Sequence, residues 1–104
     1  MGEDGREPPA HLTEGSRRFW TSIRGTWQVD DPVALELLTR LCQARDRLDQ
    51  ARVLLDREGL TTTDRYGQTK SHPAVTVETA SRIAVSRLLR ELELADPVVR
   101  HARR

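Results

Sequence analysis

A mainly α fold is predicted for this chain of 104 residues: an antiparallel pair of long helices, a short N-terminal aromatic helix, and a small β-hairpin or ordered loop between the long helices. Three observations predict it. Ala34, Leu41, Leu48 and Leu55 recur every seven residues, with Leu37, Ala44 and Ala51 three places after the first three of them. That is the a/d seam of a helix packing on another helix. A second apolar-periodic stretch runs from Pro73 to about Leu94. Between the two lies G-L-T-T-T-D-R-Y-G-Q-T-K-S-H-P, Gly59 to Pro73, whose threonines suit a strand and whose Asp-Arg-Tyr-Gly suits a turn.

Residues 1–11, rich in Gly, Pro and charge, predict a disordered N-terminus. Thr13 is placed to cap the first helix, with Glu14 at the positive end of its dipole. This helix is expected to reach about Trp27. Phe19, Trp20, Ile23 and Trp27 form one apolar face and include three of the four aromatic residues of the chain. Anchoring on a longer helix accounts for such a face; base stacking by Trp20 or Trp27 is the alternative.

Asp31-Pro32 is a helix start, a capping aspartate followed by proline at the first helical position. The second helix then runs to about Glu58, where Gly59 supplies a left-handed stop; at 1.5 Å per residue it is about 40 Å long. Leu35, Cys42 and Leu54 point away from the heptad seam, which Arg40, Arg45, Arg47 and Arg52 flank. A hairpin is expected next: Leu60 to Thr63, a turn over Asp64 to Gly67, and Gln68 to Ser71. Pro73 opens the third helix with Ser71 or His72 as cap. Val77, Ser81, Ala84, Leu88 and Leu92 define its main face, joined by Ala80 and Val85, while Ile83 and Leu89 lie outside it. Asp96-Pro97 stops it, ahead of a basic tail over residues 98–104. Residues 12–97 are thus expected to form one helical oligomerising domain. The apolar residues off the mutual seam, Leu35, Cys42, Leu54, Ile83 and Leu89, are its candidate contacts with neighbouring copies.

The composition is 37% apolar and 32% charged with a mean hydropathy of −0.62, so the core must be thin and an oligomer would help to stabilise it. Cys42 is the one cysteine, which leaves no internal disulfide and fits a reducing cytoplasm. No apolar run approaches the roughly 20 residues that span a bilayer, and the polar first ten residues predict no leader. His11, His72 and His101 fall in three different segments. No metal-ligand spacing, phosphate loop, nucleophile elbow or dinucleotide fingerprint is present, so no catalytic residue, cofactor or metal is expected and the chain does not read as an enzyme.

Net charge is +1, yet Lys70 is the one lysine among 17 basic residues. Arginine grips phosphate with a fixed fork of donors; a GC-rich coding sequence produces the same bias. Arg17, Arg18 and Arg24 cluster on the first helix, Arg65 and Lys70 bracket the hairpin turn, and Arg100, Arg103 and Arg104 close the chain. Repeated around a ring, such sets would become basic belts along a duplex. No helix-turn-helix is legible: the link Gln28 to Asp31 has no glycine, and the second helix is too long and heptad-like to read bases.

The run D-R-Y-G-Q-T-K-S-H-P-A, Asp64 to Ala74, followed by a helix ending L-L-R-E-L-E-L at Leu88 to Leu94, resembles the small subunit of phage terminase. The preceding long helix ending R-E-G-L and the aromatic first helix fit the same family, so the resemblance covers about residues 12–97. Gly67, His72, Pro73, Leu89, Leu92 and Leu94 match its pattern, whereas Glu93 stands where the pattern has glycine, which points to a third helix running on toward Asp96. The resemblance implies a non-catalytic, ring-forming protein that binds double-stranded viral DNA in the host cytoplasm and delivers it to the large terminase subunit, the ATPase and nuclease. A helical scaffold or antitoxin-like regulatory module is the alternative implied by the helices alone.

Overall fold

The computed structural model describes residues 7–95. In chain order these form α1 (Glu14–Trp27), α2 (Pro32–Glu58), β1 (Thr61–Thr63), β2 (Thr69–Ser71) and α3 (Pro73–Ala95). The expected fold class holds: three helices, with a small antiparallel sheet between the long two. The N-terminal segment 1–6 and the tail 96–104 lie outside the described residues.

The starts of α1 and α2 are capped as the sequence encodes. The Thr13 hydroxyl accepts from the Ser16 N–H at 3.2 Å, and the Asp31 carboxylate accepts from the Ala34 N–H at 3.0 Å with Pro32 in the first turn. No glycine ends α1. Gln28 adopts the left-handed conformation instead, at φ 53°, and the next N–H, that of Val29, closes on the Arg24 carbonyl at 3.0 Å. Val29 is fully buried, and this apolar contact beyond the helix end holds the strained turn.

Gly59 differs from expectation. Its φ is +85° but its ψ is 173°, an extended conformation open essentially to glycine alone. The chain therefore leaves α2 directly into a strand rather than curling under the helix. Strand register pairs Thr61 with Ser71, Thr62 with Lys70 and Thr63 with Thr69. Backbone bonds from His72 to Leu60 (2.8 Å) and from Asp64 to Gln68 (2.9 Å) extend the ladder at both ends. At the tip, the Gly67 N–H donates to the Asp64 carbonyl at 3.0 Å and Gly67 sits at φ +80°. That is a type I turn closed by a glycine bulge.

Of the two expected caps for α3, His72 serves: its Nδ1 accepts from the Ala74 N–H at 3.0 Å. The helix is continuous past Leu94 to Ala95, the last described residue, in line with the run-on that Glu93 in place of glycine implies.

α2 is the centre of the fold and uses two faces. Along the seam it packs against α3, where Ala74, Ser81, Leu88 and Leu92 are buried. The second face holds α1. Here Trp20 Nε1 donates to the Thr39 hydroxyl at 3.2 Å, and the Ser16 hydroxyl donates to Asp46 at 2.6 Å, so α1 runs antiparallel to α2. Trp20, Leu38 and Cys42 are buried between the helices. This corrects one expectation. Cys42 does not face a neighbouring copy: it is fully buried in this chain, because α1 covers the α2 face that the heptad seam leaves over. Its Sγ points at the Ser16 carbonyl at 3.5 Å, and burial raises the thiol pKa to about 11.

Candidate nucleic-acid interface

The expected basic residues fall into separate places. On α1, Arg18 pairs with Glu14 across one turn at 3.0 Å, an exposed contact of small energy. Arg24 is held more firmly: it reaches Asp30 at 2.8 Å with its side chain only 25% exposed, which ties it to the turn after α1. Arg17 is exposed and borders an open cleft with Pro8, Arg18 and Thr21. At the hairpin, Arg65 lies over the Tyr66 ring at 5.2 Å and Lys70 meets Asp64 at 3.3 Å. Arg100, Arg103 and Arg104 lie outside the described residues.

Among the described residues, the fold does not bring the α1 and hairpin sets together. The N-terminal end of α1 docks at Asp46, and α2 continues 12 residues beyond it to Glu58, about 18 Å along the axis. The hairpin projects from that far end. Along the long helices most cations are compensated locally: Arg40 by Glu36, Arg52 and Arg82 by Glu78, Arg57 by Glu58, Arg87 by Glu91.

Asp64 organises the hairpin tip. Its Oδ1 accepts from the N–H groups of Tyr66 (2.8 Å) and Gln68 (3.0 Å), and its other oxygen faces Lys70. Chiefly the Gln68 hydrogen bond, aided by Tyr66 and Lys70, holds this carboxyl below the ordinary aspartate range. At the base, His72 joins the two long helices. It is buried, and since Nδ1 accepts from Ala74, the proton sits on Nε2 and is donated to Glu58 Oε1 at 2.8 Å. The bond to His72 is the main reason the Glu58 carboxyl is also held low.

A polar network not foreseen in the sequence fixes α1. The Asp46 carboxylate accepts from the Thr13 N–H (3.0 Å), the Thr13 hydroxyl (2.7 Å) and the Ser16 hydroxyl (2.6 Å). Burial raises its pKa, but the bonds from Ser16 and Thr13 and the charge of Arg45 outweigh that and leave it lowered. A signal was available: Ser16 precedes Trp20 by four residues, on the apolar face of α1, and a buried serine there calls for an acceptor.

The expected interface residues divide as well. Ile83 is 60% and Leu89 43% exposed; Leu35 and Leu54 are half-buried. Leu89 also borders an apolar cleft of about 180 Å³ with Phe19, Ile23, Trp27, Leu41 and Leu92, where α1 meets the last turns of α3. Among the described residues no group of His, Cys, Asp or Glu is placed to hold a metal ion, and no helix is long and apolar enough to cross a membrane.

The family model for the small subunit of phage terminase matches residues 28–101. The match takes in α2, the hairpin and α3 and begins where α1 has ended. The chain matches no curated protein and no solved structure.

Proposed function

The chain belongs to the phage terminase small-subunit family, and from that premise we propose that it is a non-catalytic, oligomeric adaptor of genome packaging. It binds double-stranded viral DNA in the host cytoplasm and hands it to the large terminase subunit, which supplies the ATPase and nuclease. The family match across the entire two-helix hairpin carries this reading. Two features support it. Exposed apolar side chains remain on α3 at Ile83 and Leu89, with half-buried Leu35 and Leu54 on α2, and these suit side-by-side packing of copies into a ring. Arg17, Arg18, Arg24, Arg65 and Lys70, with Arg100, Arg103 and Arg104 of the tail, are the DNA-contact candidates; a ring would repeat each set into a belt.

Light scattering and salt-dependent duplex binding test the proposal. A ring of many copies is expected, with affinity for duplex falling linearly on a log–log plot against salt. A monomer or dimer at high concentration, or an affinity indifferent to salt, would overturn it in favour of a scaffold without a packaging role.

A further inference from the structure

The hairpin is held by hydrogen bonds rather than by burial. All six strand residues are exposed, and Leu60 and Tyr66 are 66% and 75% exposed. A two-stranded hairpin that buries so little is marginal in water. This one is nevertheless fixed at both ends. The extended Gly59 sets its departure from α2. His72 ties its base to Glu58, Leu60 and Ala74. Asp64 and the Gly67 bulge close its tip. A ribbon fixed in this way is pre-organised, which lowers the ordering cost of binding a partner.

The chemistry of that surface selects the partner. Register partners share a face, so Thr61, Ser71, Thr63 and Thr69 make one face of four hydroxyls. Thr62 and Lys70 lie on the other. Asp64 is the sole acidic residue between Gly59 and His72, and its carboxylate is already engaged by two backbone N–H groups and Lys70. Outward, the ribbon therefore offers hydroxyls, the Gln68 amide, the Tyr66 phenol and the Arg65 guanidinium, with Lys70 shared with Asp64 and no uncommitted carboxylate. A peptide adding a strand takes its specificity from pockets for alternate side chains, whereas the six strand residues are all polar and exposed. A nucleic-acid duplex needs hydrogen-bond donors and positive charge, and its major groove, about 12 Å wide, admits a two-stranded ribbon.

We propose that this hairpin is the element that enters the duplex, with Arg65 at its tip and the Thr61/Thr63/Thr69/Ser71 face against the phosphate backbone. The proposal rests on the DNA-binding reading above and goes beyond it by assigning the contact to the ribbon rather than to the arginines of α1, where Arg18 and Arg24 are paired within the chain.

The test is fluorescence anisotropy of a labelled random-sequence duplex across a salt series, with light scattering on the same samples. Arg65→Ala should weaken binding about tenfold and lower the salt slope by about one. The isosteric pair Thr61→Val and Thr69→Val should weaken binding and leave the slope unchanged. Arg17→Ala with Arg18→Ala should cost less than Arg65→Ala. Gly59, Asp64, Gly67 and His72 stay intact in every variant, and circular dichroism checks the fold. Wild-type binding that Arg65→Ala and the valine pair leave unchanged would overturn this inference alone, as would a change in oligomer mass, which would make the hairpin a contact between copies. A wild-type protein that binds no duplex would overturn the DNA-binding reading with it.

Discussion

Asp46→Ala should lower stability by about 2–4 kcal/mol. The figure follows from what the carboxylate holds. Ser16 is 3% exposed, and once Asp46 is gone its hydroxyl finds only the Cys42 carbonyl at 3.4 Å, so a nearly stranded buried donor costs about 1–2 kcal/mol. The N–H and hydroxyl of Thr13 lose charge-assisted bonds but can turn to water, for about 0.5–1 kcal/mol each. In a domain of this size the total corresponds to a fall in Tm of about 10–30 °C, read by circular dichroism at fixed protein concentration. Asp49→Ala, at an exposed position on the same helix, should change stability by less than about 0.5 kcal/mol. The double variant Asp46→Ala with Ser16→Ala should recover part of the loss, because the stranded hydroxyl goes too. The pH dependence has a definite sign. The folded pKa of Asp46 lies below the ordinary value of 3.8, so the unfolded chain binds the proton more readily. The contribution is complete above that value and drains away as pH falls through the lower folded pKa, so wild type and variant should converge in acid. An Asp46→Ala protein as stable as Asp49→Ala, or losses from Asp46→Ala and Ser16→Ala that simply add, would refute the role given to this network.

Trp20→Ala should cost about 3–5 kcal/mol, since a fully buried ring is lost between α1 and α2; calorimetry measures it, and a loss under about 1 kcal/mol would mean α1 is not docked there. Cys42 should resist thiol reagents at pH 8, because burial raises its pKa to about 11, and should react fully once denaturant unfolds the chain; rapid reaction of the native protein would contradict its place under α1. His72→Ala should remove the α3 cap, at about 1 kcal/mol, and free the hairpin base; hydrogen exchange should rise at Ala74 and along β1 and β2, and unchanged protection would argue against the clamp.

The helices were legible in the sequence because their signals are local. Thr13, Asp31-Pro32 and Pro73 mark starts, the heptads mark a seam, and caps act within a turn of where they stand. Gly67 fixed the turn for the same reason. The partner of each apolar face was not legible. Cys42 sits off the seam equally well for a second copy or for α1, and only the docking of α1 decides that it is buried inside the chain. The reach from Thr13 to Asp46 spans 33 residues, a separation over which sequence pattern specifies nothing. The separation of the basic sets was hidden likewise, since it depends on α1 folding back along α2 while the hairpin extends from the other end. By itself the sequence determined the elements, the N-terminal caps of α1 and α2, and the family. The tertiary structure decided which face each side chain meets, because burial and hydrogen bonding between distant segments are properties of the packed chain and not of any stretch of it.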